Sequence, residues 1–226
     1  MNKIFLSVFL FFTIVLAHFS VQESPSNYHD LKSWKLQIPG PLEVKDLKGY
    51  TSDFFHLDTD KSISFDLDAS ETGTTSNVIY VRSELRHLAN WETNTKHSLS
   101  TQTKVSCDIP NYKVTVMQVH GINRNNSDAP VLLRVALVKG DLYAFFKSDN
   151  SGVKTDKQLL QANVGNQYFK TEIQIEASKL SIKVNGKECF KKDVSYWTYL
   201  NYFKIGCYPQ QNTGKFKINI KDITVS

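Results

Sequence analysis

The feature that most limits the fold of this chain is a two-residue alternation of apolar and polar side chains, repeated in short runs along the sequence. "SISFDLDA" (62–69), "KVTVMQVHGI" (113–122), "VLLRVALV" (131–138), "LYAFFKS" (142–148), "FKTEIQIEAS" (169–178), "KLSIKVNG" (179–186) and "KFKINIKDITVS" (215–226) all carry it. That period turns one face of an extended segment toward a core and the other toward water. Turn-forming Gly, Asn, Asp and Ser separate the runs, and "KVNGKECF" holds Asn185-Gly186, the dipeptide best suited to a two-residue hairpin turn. Many short strands at this spacing predict an all-β sandwich or barrel. Only "GPLEVKDLKGY" and "TDKQLLQANV" have apolar spacings of three and four, which predicts a helical turn or two decorating a loop.

The first twenty residues place Lys3 before an apolar run from Ile4 to Leu16, with Val15 and Ala17 near its end. This is the layout of a secretory signal, too short and too early to favour a membrane span. Cleavage is expected after Ala17, so that 1–17 is a signal peptide and 18–226 a single secreted, extracellular domain. No Gly/Ser/Pro-rich linker, repeat or low-complexity tract divides that domain. The formal charge of +5 is spread through the chain without a basic block. That disfavours nucleic acid and is compatible with an acidic polymer as partner. A monomer that leaves the membrane after signal cleavage is expected. The chain has three cysteines, Cys107, Cys189 and Cys207. Their spacing supports no zinc site, and an odd count in an oxidising compartment leaves one unpaired. Cys189–Cys207 is the expected disulfide, from closeness in sequence on strands expected to be neighbours, with Cys107 a free, buried thiol. A glycosylation sequon stands at Asn125-Asn126-Ser127, relevant only where the source modifies it.

"IYVRSELRHL" (79–88) places full charges inside a strand pattern. Alternation puts Arg82, Glu84 and Arg86 on one face and Val81, Ser83 and Leu85 on the other. In "VMQVHGI" it puts Gln118 and His120 opposite Met117 and Val119. In "YFKIGCYPQ" it puts Tyr202, Lys204, Gly206, Tyr208 and Gln210 opposite Phe203, Ile205 and Cys207. Three strands thus each offer one apolar face and one face rich in Arg, Gln, His, Lys and Tyr. If the polar faces share a sheet, they line a concave surface. Ser83, alone among apolar neighbours, needs a backbone partner.

The three motifs, Arg82-Ser83-Glu84-Leu85-Arg86, Gln118-Val119-His120 and Tyr202 through Gln210, resemble those of the alginate lyases of polysaccharide lyase family 7. The resemblance extends through "SWKLQIP" (33–39), "GYTSDFFHLD" (49–58) and "TGTTSNVIYVRSELR" (72–86). Family members often carry Pro before the first arginine and Glu after the second, where this chain has Val81 and His87. The resemblance implies a β-jelly roll of two antiparallel sheets with a substrate groove, cleaving a 1,4-linked polyuronate by β-elimination. Removing the proton on C5 of a uronate piles negative charge on its carboxyl group. A site for this reaction must hold that carboxylate, accept the proton and protonate the departing glycosidic oxygen.

Arg82, a planar two-pronged donor, suits the first task, with Gln118 and His120 beside it. Losing one such donor typically costs about 3–4 kcal/mol of barrier. Tyr208 is the acid/base candidate, with Arg82 and Lys204 expected to lower its pKa. The resemblance implies Tyr208 as both base and acid on mannuronate, or His120 as base on guluronate, whose C5 proton lies on the opposite side; Val119 tilts the choice slightly toward mannuronate. Arg86, Lys204 and Gln210 are assigned to neighbouring sugars, and Glu84 to fixing Arg82 or Arg86 by a salt bridge. The scheme calls for no metal and no cofactor. The rivals are a lyase for glucuronan or another polyuronate, and a non-catalytic carbohydrate-binding jelly roll. A glycoside hydrolase is disfavoured, since no E-x-D-x-E run is present and Glu84 between two arginines is a poor acid.

Overall fold

The computed structural model describes residues 23–40, 43–73 and 79–226. The expected signal peptide lies outside them. Among the described residues are fourteen strands, numbered along the chain, in two seven-stranded sheets, and one 3-10 turn at Pro25–Asn27. The first sheet runs, in spatial order, β1 (Trp34–Gln37), β4 (Ser83–His87), β13 (Leu200–Pro209), β6 (Lys113–Ile122), β7 (Asp128–Val138), β8 (Asp141–Lys147) and β9 (Thr155–Gln161). The second runs β12 (Lys187–Asp193), β11 (Lys179–Val184), β10 (Phe169–Glu176), β5 (His97–Cys107), β14 (Lys215–Val225), β3 (Ile63–Asp68) and β2 (His56–Leu57). Neighbouring strands are antiparallel in both sheets, and the architecture is a β-jelly roll. No helix among the described residues is long and apolar enough to cross a membrane.

Alternation decides which rows face the core. Leu36, Leu85, Ile205, Met117, Val135 and Ala144 stand side by side across six strands of the first sheet, and all are completely buried. The matching row of the second sheet includes Phe65, Ile218 and Val105. Each such Leu or Ile contributes about 1.5–3 kcal/mol of burial. Met117 meets the opposite sheet directly, with its Sδ 3.6 Å from the hydroxyl of Thr101. Ser83, on the same inward face, donates to the Phe54 carbonyl at 2.7 Å. At Asn185-Gly186 the φ values of 51° and 83° make a turn with two left-handed residues, joining β11 to β12.

Three expectations need correction. "TDKQLLQANV" is largely the edge strand β9, not a helical turn, because pairing with β8 supplies what its local sequence lacks. The described part of "GPLEVKDLKGY" is loop, touching β1 through the Leu36–Val44 bridge. All three cysteines are free thiols: Cys189 sits on the edge strand of the second sheet, whereas Cys207 is buried on the inward face of the first. Cys107 is free as expected, but only half-buried.

Candidate active site

The outward face of the first sheet carries the chemistry. One row crosses all seven strands: Lys35, Arg86, Lys204, Gln118, Arg134, Phe145 and Lys157, each paired in register with the next. Beside it, Tyr202 pairs with His120 and Glu84 with Gly206. Antiparallel partners of this kind project from the same side of a sheet. The three motifs therefore share one surface, because their strands fall in one sheet, the condition that alternation alone left open.

Glu84 organises its centre. Its side chain is about 1% exposed, that of Lys204 about 2%, and the two form a salt bridge. The other carboxylate oxygen accepts from Gln118 Nε2 at 2.5 Å. Glu84 thus forms its salt bridge with Lys204, where one with Arg82 or Arg86 was expected, and Lys204 is committed to that carboxylate instead of lying open to a sugar. The register explains this. Glu84 sits opposite Gly206, so its carboxylate reaches over a position with no side chain toward β13 and β6. A Cβ at Gly206 would come within 2.4 Å of the Ser83 carbonyl, and φ there is +138°. Only glycine fits. The β-bulge between Ile205 and Tyr208 follows immediately.

Arg86 lies over the Tyr202 ring, 4.0 Å from its centroid, and donates to Asn90 Oδ1 at 3.3 Å. His120, on the other neighbouring strand, stacks on Tyr202 with centroids 5.0 Å apart and an 11° interplanar angle. Tyr202 is thereby the shared plate for both. His120 Nδ1 is 2.8 Å from the Gly121 carbonyl, which can only accept, so Nδ1 carries the proton. In the neutral ring, Nε2 keeps its lone pair. Burial, and then the nearby Lys204 ammonium, push the His120 pKa down to about 4, so the ring is neutral across the physiological range.

The Tyr208 hydroxyl, half-buried, has its pKa raised, first by burial and then by the Glu84 carboxylate; Arg82 and Arg134 oppose this. The expected lowering is thus reversed, because desolvation and Glu84 outweigh the two guanidiniums. Lys204, enclosed with its partner, has its own pKa lowered to about 8 by burial, against the pull of Glu84. Arg82, just before β4, reaches both Lys204 and Tyr208 with its field. Gln210 accepts from Arg134 Nη1 at 2.5 Å.

Sequence reasoning missed Arg134. It stands in register with Gln118, and the signal was a single arginine inside the apolar run "VLLRVALV". His87, where relatives often have glutamate, turns to the inward side and meets Trp34 edge-on at 4.9 Å.

Solved structures share this arrangement of sheets. Alginate lyase A1-II', a member of polysaccharide lyase family 7, superposes with a TM-score of 0.81 at 27% identity, covering 90% of this chain and 98% of that one. A variant of the same enzyme in complex with substrate (GGMG) gives 0.82 at 25%, covering 90% and 96%. The alginate lyase from Corynebacterium sp. gives 0.77 at 20%, a likeness of fold, over 91% and 98%. No curated protein sequence matches the chain. The family model described as alginate lyase matches residues 29–226, and with that match spanning nearly the whole described chain, the protein belongs to the alginate lyase family.

Proposed function

We propose that this protein cleaves alginate, a 1,4-linked polyuronate, by β-elimination on the outward face of the first sheet, with His120 as base and Tyr208 as acid. One observation carries the division of labour. His120 is neutral with its tautomer fixed by Gly121 and Nε2 free to accept, while Tyr208 holds its proton.

A uronate carboxylate is held by Arg82 and by the second N–H of Gln118, whose first is taken by Glu84. Nε2 of His120 removes the C5 proton. The electron pair left behind forms the C4–C5 double bond, the C4–O bond breaks, and the Tyr208 hydroxyl gives its proton to the departing oxygen. Glu84 and Lys204 do not meet the sugar; they orient Gln118. Arg86 and Gln210 flank the reacting ring.

The same charge states favour guluronate, whose C5 proton suits a histidine base, whereas Val119 tilts toward mannuronate. Separate incubation with the two homopolymers decides between them. The apolar run at residues 4–16, as a secretory signal, would deliver the enzyme outside the cell, where such polymers occur. For the chemistry itself the test is Tyr208→Phe: the rate of unsaturated-uronate formation, followed by ultraviolet absorbance, falls by at least about 10². Near-normal turnover in that variant rejects the assignment. Binding of alginate by the wild type without any double-bond formation would instead mark a lectin-like jelly roll.

A further inference from the structure

The tautomer of His120 depends on which donors compete for the Gly121 carbonyl, and the strands on either side of β6 settle that competition. Asn201, the register partner of Gly121 on β13, spends its backbone N–H and carbonyl on Trp91, at 2.7 and 2.9 Å. Residues directly opposite in an antiparallel pair exchange both backbone bonds or neither. Gly121 therefore turns its own N–H and carbonyl the other way, toward β7. There the register slips: His120 pairs with Val131 and Ile122 with Asp128, so that Ala129 and Pro130 together stand opposite the single Gly121. Pro130 has no N–H to give. The carbonyl takes the His120 Nδ1 proton instead, at 2.8 Å.

This bulge is held from both sides. A Cβ on Gly121 would fall 2.4 Å from the Pro130 carbonyl oxygen, 3.1 Å from Trp197 Cζ2 and 3.3 Å from Ala129 Cβ. The Trp197 ring is fixed in turn, its Nε1–H donating to the buried Asn201 side chain at 2.9 Å. From the other side comes Gly152, at φ +71° in the turn between β8 and β9, where a Cβ would lie 2.2 Å from Pro130 Cγ. Glycine stands at both points of close approach. Proline is tolerated in a strand at bulges, because it withdraws a ladder donor. Here the donor withdrawn is one that would compete with His120.

We propose that Pro130 is a positioning residue for the reaction: by withholding a backbone N–H from the Gly121 carbonyl, it reserves that acceptor for His120 Nδ1 and leaves Nε2 as the basic nitrogen. This deepens, and rests on, the reading of His120 as the base. A neutral imidazole has two tautomers, and only one of them keeps the lone pair on Nε2. With an N–H restored at residue 130 the carbonyl is shared, and the Nδ1–H form loses part of its preference. Some molecules then carry a proton on the nitrogen that has to accept one.

The test is Pro130→Ala in the full-length protein, read by nitrogen NMR shifts of isotopically labelled histidine rings, with His120→Gln identifying the His120 signals and thermal unfolding checking the fold. At neutral pH the wild type shows His120 as Nδ1–H alone, and the variant shows a mixture with Nε2–H. On alginate, kcat falls at least about tenfold while KM stays within about twofold, because the lost interaction serves proton transfer and not binding. Gly152→Ala, which presses on the Pro130 ring from the neighbouring turn, shifts the tautomer in the same direction and serves as the test where Pro130→Ala fails to fold. An unchanged tautomer in Pro130→Ala, or in Gly152→Ala where only that variant folds, overturns the role. So does a wild type already in the Nε2–H form, or an unchanged kcat in an active enzyme. The ring shifts need no turnover: a tautomer that moves in a protein forming no double bonds supports the hold of Pro130 on His120 and rejects the lyase reading alone.

Discussion

At the residue scale, Glu84 shows how far a side chain's role depends on what stands across from it. Flanked in sequence by Arg82 and Arg86, it was expected to pair with one of them; its partners are Lys204 and Gln118, reached across glycine. Sequence neighbours two apart share a face, but the register brings other strands closer to the carboxylate. Taking two charges out of water is costly, and removing one partner strands the other. Lys204→Met is therefore expected to destabilise the fold by about 3–5 kcal/mol, read by urea unfolding. Glu84→Gln removes a charge but keeps an acceptor; it should loosen the hold on Gln118 and lower kcat more than it raises KM. Gly206→Ala, with its Cβ against the Ser83 carbonyl, should abolish both activity and soluble yield. Arg134 and the cysteines mark the limit of legibility at this scale. A lone arginine in an apolar run does not announce its face, and closeness in sequence does not tell which sheet a cysteine joins.

At the element scale, alternation was a sound guide wherever one face meets the core. The seven runs that carry it coincide, within a few residues at each end, with β3, β6, β7, β8, β10, β11 and β14. It failed at β9, an edge strand in which Lys157, Gln158 and Leu159 are all exposed in succession, so no apolar–polar alternation marks it. The long strand β5 was not singled out either: "HSLSTQTKVSC" alternates, but Thr101 and Thr103 stand in the inward row between Leu99 and Val105 and blur the apolar signal. The candidate site was legible because it occupies central strands, where pattern and register agree. His120 belongs to such a strand, and its pKa sets a pH window. Its folded value, about 4, lies below the ordinary 6.5, so between those values the unfolded chain binds the proton and the native chain does not. This group accordingly contributes a loss of stability as pH falls from about 6.5 to 4. His120→Gln should flatten that part of the stability profile, measured by unfolding at a series of pH values. In the active enzyme, the acid limb of kcat/KM should lie near pH 4 rather than 6.5.

At the scale of the whole molecule, the two sheets are unequal in task though equal in strand number. One presents a row of cations and aromatics; the other supplies much of the oil beneath it. The order in which the strands are made adds a consequence. The final two, β13 and β14, lie in the interior of their respective sheets, between β4 and β6 and between β5 and β3. Until they leave the ribosome, each sheet exists as two unjoined pieces with bare edges, the kind of surface that invites wrong pairing. The meander of β6 to β9 and the ribbon of β10 to β12 can assemble early, but Tyr202, Lys204, Gly206 and Tyr208 arrive on the keystone itself, so the candidate site cannot assemble before β13 has been made.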